Sequence, residues 1–252
     1  MKKVFITLSI VFITTLFYSC KKNEQRILDI TPTAGTALVK INYSMPFAVN
    51  SSVQIKINDV RVSNLITFPT PFPGGGLNTG GSNQPDYMSL PVGTSTVSVS
   101  RPNVGTNVDS LILFSGSVSF EANKNVTLHV TDTGAAVTSV LTVDNVTMPD
   151  SGFSRFKFVH LMPNVPAIDL YYGTTIVAAN ILYKGVSSEF QIPVTGTSLS
   201  WAIRPAGALS TTTAIATYAQ TVADRKSMTV FAAGYNGALT PRAPRVSLLY
   251  NR

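Results

Sequence analysis

The sequence predicts an all-β fold made of two tandem immunoglobulin-like, Greek-key β-sandwich domains. Three observations support this prediction. Of the 252 residues, 12% are charged and 44% are hydrophobic, a balance that suits sheets better than charged amphipathic helices. Several short segments alternate apolar and polar residues with a period of two. A series of sequence landmarks also occurs twice in the same order, which predicts a repeated unit.

The alternation is clearest in the first copy of the repeat. Residues 39–44 and residues 53–58 each place apolar side chains on one face and polar side chains on the other, as in a half-buried strand. Asn58 and Asp59 then provide turn chemistry, so a hairpin is expected. Within residues 126–130, His129 occupies a polar position, which predicts that His129 lies on the wetter face of its strand.

The second copy repeats the landmarks of the first with few gaps. Residues that would begin, turn and end strands recur, so two tandem domains are favoured over one long sandwich. The corresponding segments are Lys40 with Lys157, Met45-Pro46 with Met162-Pro163, residues 91–102 with residues 193–205, and residues 124–128 with residues 226–230.

The repeat and the composition together divide the chain into five parts. They are a signal peptide at residues 1–19, a polar tether at 20–36, a first β-sandwich at 37–147, a linker at 148–154 and a second β-sandwich at 155–252. The first copy is interrupted between Phe68 and Tyr87 by a segment rich in proline and glycine, which predicts a mobile surface loop. An alternative is a binding loop that carries Phe72 and Tyr87 on the β scaffold.

The N-terminus has the pattern of an export signal. Lys2 and Lys3 precede an uncharged apolar run over residues 4–17, and Cys20, the sole cysteine, follows Ser19. This arrangement resembles a bacterial lipoprotein lipobox, which implies a diacylglyceryl group and an acyl chain such as palmitate on Cys20. Phe17 and Tyr18 depart from the usual lipobox residues.

The resemblance implies a protein whose partner is a membrane, reached through its N-terminal lipid. Residues 20–25, CKKNEQ, resemble the charged tag of surface lipoproteins in the Bacteroidota. The expected location is therefore the cell envelope, on the outer membrane, with the body outside the cytoplasm.

The charge pattern does not favour nucleic-acid binding. Removal of the signal takes two of the 19 basic residues and leaves 17 against 12 acidic residues, a formal charge of +5. Much of this excess lies in the tether and the C-terminal tail rather than in a basic run interleaved with aromatic residues. No nucleic-acid partner is expected.

Catalytic and metal-binding patterns are sparse, so the sequence does not predict an enzyme. The two histidines, His129 and His160, offer few nitrogen ligands, and neither a metal site nor a cofactor is predicted. His160 shares a strand face with phenylalanines, which favours a hydrogen-bonded packing role over a catalytic one. A carboxylate pair such as Asp169 and Glu189 stays open as a weaker alternative, because only spatial separation decides it.

Aromatic residues are the main candidates for ligand contact. Trp201 alternates with apolar residues in a strand and is expected to fill the core. A second set would offer flat rings to a sugar if it were exposed at loop edges. Its members are Tyr171, Tyr172, Tyr183 and Phe190, with Phe72 and Tyr87 from the inserted segment. Separately, Ser110 lies in Asp109-Ser110-Leu111, which resembles a short O-glycosylation signal of the Bacteroidota.

The opening of the second copy carries a family resemblance. His160, Pro163, Pro166, Asp169 and Tyr171 are similar to the opening of a bacterial cell-envelope family known as domain-of-unknown-function family 4397. The resemblance covers residues 155–237 and extends more weakly over residues 37–144, where Tyr43 replaces the histidine. It implies repeated β-sandwich domains on secreted or anchored proteins, and it implies no reaction.

The function predicted from sequence is that of a non-catalytic, lipid-anchored envelope protein with a structural or interaction role at the cell surface. Its partner would be a protein or a glycan. The alternative is a carbohydrate-binding surface lipoprotein associated with glycan uptake.

Overall fold

The computed structural model describes residues 32–47, 52–134 and 137–252, and within them the chain is all-β. The signal peptide, Cys20 and most of the tether lie outside the described residues. In the part of the chain that the structure describes, no helix is long and apolar enough to cross a membrane.

The first half of the fold contains ten strands, several of them short. They are β1 (Thr36–Tyr43), β2 (Gln54–Ile57), β3 (Val60–Arg61), β4 (Thr70–Phe72), β5 (Gly76–Leu77), β6 (Met88–Pro91), β7 (Gly93–Pro102), β8 (Asp109–Phe120), β9 (Asn125–Thr131) and β10 (Thr138–Val143). The second half contains β11 (Phe153–His160), β12 (Ala167–Tyr172), β13 (Thr175–Leu182), β14 (Phe190–Pro193), β15 (Ser198–Pro205), β16 (Ala216–Thr221), β17 (Ser227–Ala233) and β18 (Arg245–Tyr250).

These strands form four sheets, two from each half. Sheet 1 has the order β10-β9-β1-β4, with β6 also paired to β1, and sheet 2 has the order β3-β2-β7-β8. Sheet 3 has the order β14-β11-β17-β18-β5, and sheet 4 has the order β13-β12-β15-β16.

The strand pairing of the first half recurs in the second. β1 pairs in parallel with β9, and β11 pairs in parallel with β17 in the same way. The antiparallel chain β3-β2-β7-β8 has its counterpart in β13-β12-β15-β16. The pairs β1–β6 and β9–β10 correspond to β11–β14 and β17–β18. The landmarks that repeat in the sequence therefore lie on strands with matching partners.

Each half buries its own hydrophobic cluster between its two sheets. In the first half, Val39 and Leu128 of sheet 1 share a cluster with Ile55 and Val99 of sheet 2. In the second half, residues of β11, β17 and β18 share a cluster with residues of β12 and β15, including Trp201. Alternation explains the arrangement, because every second side chain of a strand points to the same face.

The outer faces of sheets 1 and 3 pack against each other, so the sheets lie in the order 2, 1, 3, 4. The ring centroids of His129 on β9 and Phe231 on β17 are 6.5 Å apart, and Thr131 Oγ1 donates a hydrogen bond to the carbonyl of Leu161 at 2.7 Å. Phe231 joins the cluster of the first half although it belongs to the second. The central strands of sheets 1 and 3, which are β1, β9, β11 and β17, are therefore buried on both faces over most of their length.

This packing corrects the expectation for His129. Its side chain lies on the face opposite the first core, as the alternation indicates, but that face is covered by sheet 3 and His129 is fully buried. The period of a strand distinguishes two faces and cannot tell which of them a second sheet will cover.

The expectation of a mobile loop between Phe68 and Tyr87 is also corrected. β4 in this segment pairs with β1, and β5 pairs with β18 of the second half, with Leu77 opposite Leu248 and Gly76 opposite Leu249. Asn78 Nδ2 also donates to the carbonyl of Val246 at 2.8 Å. The insertion thus adds a strand to sheet 3 and ties the two halves together.

The strand directions give the molecule two distinct ends. Thr36, where β1 begins, lies beside Pro91 and near the turn that follows Phe120, and we term this the entry end. At the opposite end lie residues 103–108 between β7 and β8, residues 132–134 after β9 and residues 183–185 after β13. We term this the far end. Tyr183 Oη donates to Asp132 Oδ2 at 3.3 Å, so loops from both halves meet there.

Candidate functional site

Three of the aromatic residues considered for ligand contact are buried. Tyr171 is buried with its hydroxyl donating to the carbonyl of Ala208 at 2.5 Å and with the guanidinium of Arg204 over its ring. Tyr172 packs against Trp201 with ring centroids 4.6 Å apart. Tyr87 is fully buried between the two halves. The expectation of an exposed set is therefore corrected at these positions, because Tyr172 and Tyr87 pack into sheet interfaces and Tyr171 is covered by Arg204 and the loop that contains Ala208.

Phe190, the sixth member of the set, packs partly against the core of the second half, with its ring centroid 6.0 Å from that of Phe156. The remaining two ligand-contact candidates, Tyr183 and Phe72, are partly exposed. Tyr183 lies at the far end beside His160, with ring centroids 6.0 Å apart, and Lys184 Nζ lies 5.6 Å from its ring centroid. Phe72 packs partly against the core of the first half. These residues lie in different parts of the molecule, and a ligand contact at either stays a prediction.

His160 and Asp169, the residues that a catalytic role would require, make hydrogen bonds with the backbone. His160 is fully buried, accepts a hydrogen bond at Nδ1 from the N–H of Met162 at 3.2 Å and lies with Nε2 2.7 Å from the carbonyl of Val165. This pair of contacts requires the neutral Nε2–H tautomer. Asp169 accepts from the N–H groups of Asn180 at 2.6 Å and Gly207 at 2.7 Å.

The environment of His160 agrees with the packing role that the sequence favours. Burial lowers the pKa of His160 to about 4, against a smaller opposing contribution from its hydrogen bond with Val165. Asp169 fastens β12 to β13 at Asn180 and to the loop after β15 at Gly207, so its two oxygens serve the scaffold.

Trp201 fills the core of the second half, as expected from its strand position. It is fully buried, with the rings of Phe156 and Phe190 at centroid distances of 4.9 and 6.5 Å. A ring enclosed in this way has no face available for a ligand.

A cluster of buried charged groups lies between sheets 1 and 3. Lys157 Nζ forms an ion pair with Asp144 Oδ1 at 3.2 Å and also donates to the carbonyl of Val143. Asp144 Oδ2 accepts from Tyr87 Oη at 3.0 Å and from Thr127 Oγ1 at 2.5 Å. Both members of the ion pair are almost inaccessible to water. Asp144 follows β10, and its carboxylate binds Thr127 on β9 and Tyr87, which immediately precedes β6. Through Lys157 the same carboxylate connects these segments of the first half to β11 of the second.

Lys40, the counterpart of Lys157 in the repeat, joins the same interface. Its Nζ donates to the carbonyl of Tyr250 at 2.5 Å and lies 4.5 Å from the ring centroid of Tyr87. Burial lowers the pKa of Lys40 to about 8, while the nearby carboxylates of Asp144 and Asp86 oppose this shift. The two lysines that mark the repeat in the sequence both serve the contact between the halves.

His129 lies in this interface as a neutral side chain. Its Nδ1 lies 3.0 Å from Asn42 Nδ2, and its Nε2 lies 3.2 Å from Thr142 Oγ1. Burial lowers its pKa to about 3, and the positive charges of Lys157 and Lys40 add to this effect. Among the residues that the structure describes, no group of three or more His, Cys, Asp or Glu side chains is arranged to hold a metal ion.

An open cleft at the far end has different chemistry from the buried interface. It has a volume of about 370 Å³ and lies between β3 and the loop at residues 103–108. Its lining includes Arg61, Arg101, Asn103 and Asn107, with apolar surface from Val104. Sequence reasoning missed this cleft, because Arg61 and Arg101 lie 40 positions apart in the chain.

The loop that forms one wall of the cleft is fastened to sheet 2. Asp109 at its end accepts from Lys56 Nζ at 2.8 Å, from Gln54 Nε2 at 2.7 Å and from Ser100 Oγ at 2.5 Å. Desolvation raises the pKa of Asp109, but the hydrogen bonds from Lys56, Ser100 and Gln54 outweigh it, so the pKa lies below its usual value. Gln54 also donates to the carbonyl of Asn107 at 3.0 Å.

Ser110, the candidate for O-glycosylation, is exposed at this end of β8. Its hydroxyl donates to the carbonyl of Arg101 at 3.0 Å. The exposure is compatible with modification, which stays a prediction.

Comparisons with known proteins give one family match and several distant structural likenesses. Residues 77–171 match the model of a family described as domain of unknown function (DUF4397). The match supports the resemblance found in the sequence, but it runs from β5 to β12 and so overlaps only the beginning of residues 155–237. No curated protein sequence matches the chain.

Two of the similar solved structures come from streptococcal virulence factors. One concerns alpha-glucan recognition by family 41 carbohydrate-binding modules from streptococcal virulence factors, with 10% identity, coverage of 83% of this chain and 96% of that chain, and a TM-score of 0.27. The other concerns alpha-glucan binding by a streptococcal virulence factor, with 11% identity, coverage of 77% and 92%, and a TM-score of 0.24.

A third structure is a leucine-rich repeat protein from Bacteroides thetaiotaomicron. It has 16% identity, covers 79% of this chain and 26% of that chain, and has a TM-score of 0.18. All three TM-scores are too low to support an inference about fold or ligand. The chain is thus similar over residues 77–171 to a family of unknown function, and its candidate site has to be judged from its own geometry.

Proposed function

We propose that this protein is a non-catalytic, lipid-anchored protein of the cell envelope with a structural or interaction role at the cell surface. The observation that carries the proposal is the buried contact between sheets 1 and 3, which joins the two halves through Lys157, Asp144 and Lys40. A body held together in this way presents loops of both halves at its far end. Loops positioned by a fixed β scaffold are the usual place for recognition.

The finer fold assignment belongs to the same proposal. We assign two tandem immunoglobulin-like, Greek-key β-sandwich domains to residues 37–147 and 155–252, with residues 148–154 as linker. The recurrence of the strand pairing supports this division. β11 begins two residues before the second boundary, at Phe153.

Lipid attachment at Cys20 would place the body at the outer membrane, outside the cytoplasm. The polar tether joins Cys20 to β1, which begins at Thr36 at the entry end. The 16 residue steps from Cys20 to Thr36 could span at most roughly 55 Å when fully extended. The far end would then face away from the lipid, toward a protein or glycan partner.

The placement of the former catalytic candidates supports a non-catalytic role. His160 and both oxygens of Asp169 bind the backbone, and Glu189 pairs with Arg155 at 3.5 Å on the surface. A general base needs access to the proton that it removes. Turnover of a glycan or peptide that is lost in Asp169→Asn, while the variant keeps the melting temperature of the parent protein, would contradict this part of the proposal.

A second candidate function is carbohydrate binding associated with glycan uptake. It is favoured by the far-end cleft, because its volume of about 370 Å³ falls at the lower end of the range for small-molecule sites, about 300 to 1,000 Å³. Amide side chains in its wall would suit hydroxyl groups.

Site-specific photocrosslinking in cells tests the interaction role. A photoreactive amino acid at Val104, in the far-end loop, is compared with the same group at Val92, which lies between β6 and β7 at the entry end. Both valines are exposed and belong to the first half. We expect a defined crosslinked partner from position 104 and none from position 92; equal crosslinking at both positions, or crosslinking from position 92 alone, would contradict the proposal.

The anchor is tested separately by metabolic labelling with radioactive palmitate. The parent protein should incorporate label and sediment with outer membranes, whereas Cys20→Ala should do neither. Labelling of Cys20→Ala would exclude attachment at this cysteine.

A further inference from the structure

Two arginine residues line the far-end cleft. Arg61 lies on β3, and Arg101 lies near the end of β7, 40 positions later in the chain, yet both line the same cleft. Two cations in one cavity repel each other unless an anion lies near them. An anion bound between the two arginines would offset this repulsion.

The cleft does not supply that anion from its own lining. None of the ten residues that line it is acidic. Asp109, which follows the loop that lines the cleft, is occupied by Lys56, Gln54 and Ser100. Among the described residues, neither Arg61 nor Arg101 forms an ion pair with a carboxylate.

The two arginines differ in how firmly they are held. Arg61 Nε donates to the carbonyl of Ser63 at 2.7 Å and its Nη1 donates to Asn107 Oδ1 at 2.6 Å, so its plane is fixed in advance. The guanidinium of Arg101 has no hydrogen-bond partner among the described residues, and all of its donors are available. A guanidinium group that is held in place and a second one whose donors are free suit an oxyanion, because an oxyanion can accept hydrogen bonds from pairs of N–H groups.

The remaining lining suits a hydroxyl-rich ligand. The side-chain amide of Asn103 and the Nδ2 group of Asn107 have no partner among the described residues, and both residues line the cleft. Exposed apolar surface from Leu65 and Val104 borders them. Amides that bind hydroxyl groups, next to apolar surface for the C–H face of a ring, are complementary to a sugar. An inorganic ion would leave most of the cavity unfilled.

From this arrangement we propose that the far-end cleft binds an acidic saccharide, with Arg101 and Arg61 holding its carboxylate and the two asparagines contacting its hydroxyl groups. The inference deepens the interaction role proposed above by assigning a ligand class to the far-end loops. It does not require a protein partner, so it is tested with the purified protein.

Isothermal titration calorimetry at low ionic strength tests this assignment with three ligands. A trimer of galacturonic acid is the acidic saccharide, its methyl ester is the matched neutral saccharide, and inorganic sulfate is the oxyanion alone. We expect the trimer to bind, the methyl ester to bind at least about tenfold more weakly, and sulfate to bind more weakly than the trimer, since hydrogen bonds to a charged group account for at least a factor of that size.

Protein variants locate the site. Arg101→Gln should weaken binding of the trimer at least about tenfold, and Arg101→Lys should weaken it less because the charge remains. Arg225→Gln is the matched control, because it removes the same charge from an exposed arginine at the entry end, paired with Asp224 at 3.9 Å. This control should leave the affinity within about twofold of the parent value, a difference well below 1 kcal/mol.

Four results would overturn the proposal. They are absence of binding by the trimer, equal binding of the trimer and its methyl ester, sulfate binding as tight as that of the trimer, and equal effects of Arg101→Gln and Arg225→Gln. A glutamate-rich peptide serves as a fourth ligand, and tighter binding of this peptide than of the trimer would also overturn the proposal and assign the cleft to an acidic protein instead. Each of these outcomes is independent of crosslinking at Val104, so failure of the ligand class and failure of the interaction role can be told apart.

Discussion

Asp144 forms a buried ion pair with Lys157 that joins the two halves. Its carboxylate binds Tyr87, Thr127 and Lys157 where water is excluded. A buried ion pair contributes little compared with a well-packed apolar pair, yet removal of one partner is costly because the other charge is left without compensation. The main contribution of Asp144 is therefore to compensate the buried charges of Lys157 and Lys40, and the net gain from the ion pair itself is small.

Replacement of Asp144 tests this interpretation. Asp144→Ala should lower the free energy of unfolding by about 3 to 5 kcal/mol, measured by denaturant titration, because Lys157 would remain buried without its carboxylate. The matched control is Asp224→Ala, which removes a carboxylate from a half-exposed pair with Arg225 and should cost less than about 1 kcal/mol. Similar losses in the two variants would contradict the assigned role.

The two histidines predict a dependence of stability on pH. Burial lowers the pKa of His160 to about 4 and that of His129 to about 3, so both are neutral in the folded protein at neutral pH. In the unfolded chain each takes up a proton below its ordinary value of about 6.5. Their contribution to stability is therefore fully present above pH 6.5 and is lost as the pH falls toward 4 and 3.

Denaturant titrations at pH 7 and pH 4.5 measure this loss, and NMR titration of the histidine rings identifies its source. We expect the free energy of unfolding to fall by a few kcal/mol over this interval. The two ring signals are assigned with His129→Gln. A ring that titrates near pH 6.5 in the folded protein would show that the corresponding histidine is not buried as described.

At the scale of elements, β5 shows how an inserted segment becomes part of the fold. It has only two residues, yet it extends sheet 3 by pairing with β18. Gly76 is required there by close approach: a Cβ atom would lie 2.5 Å from Thr79 Oγ1 and 2.8 Å from the carbonyl oxygen of Leu248. The backbone of the insertion can reach β18 only without a side chain at this position.

A substitution at Gly76 tests the pairing of β5 with β18. Gly76→Val should separate the two strands, cost about 1 to 3 kcal/mol of stability and increase hydrogen exchange at Tyr250, whose N–H donates to the carbonyl of Gly75. The control is Asn83→Val, an exposed position in the same insertion. Unchanged exchange at Tyr250 in Gly76→Val would argue against the contact.

The paired sheets also explain why alternation gave only part of the answer. Strands of sheets 1 and 3 alternate apolar and polar residues, and the polar positions were expected to face water. Instead they hold Lys40 and Lys157, whose partners lie in the other half, and Thr127 and His129, whose partners lie in the first half itself. A polar face can be buried when each group has a partner, and no local pattern reveals which partner will arrive.

At the scale of the whole molecule, the halves depend on each other despite their repeated topology. Val159, Leu161, Phe231 and Leu249 belong to the second half but pack in the hydrophobic cluster of the first. If the two halves were separated at the linker, this apolar surface would be exposed to water on both of them. The repeat therefore describes the topology, whereas folding involves the assembled pair.

Calorimetry tests this dependence. The protein should unfold in one transition, and Phe231→Ala should lower the melting temperature of the whole molecule, with a cost of about 3 to 5 kcal/mol from the cavity and the lost burial. Two separate transitions in the parent protein, or a second transition that Phe231→Ala leaves in place, would contradict the expected cooperativity. Tyr218→Ala, at a partly buried position of the edge strand β16, provides a control outside the interface and should cost less.

The sequence by itself determined the all-β class, the recurrence of landmarks and the core position of Trp201, because these depend on composition, on the period of a strand and on order along the chain. The hairpin at Asn58 and Asp59 was predicted for the same reason, and both residues have positive φ values of 48° and 64° in that turn. These are local properties, so the residues concerned are neighbours in sequence.

Only the tertiary structure decided the surroundings of each face and loop. It buried His129, Tyr87 and Tyr171, and it brought Arg61 and Arg101 to one cleft. Whether a side chain meets water, a second sheet or another charge depends on segments distant in the chain. The periodic patterns of a single sequence do not show which distant segments will meet. For this reason the fold class could be predicted and the candidate site could not.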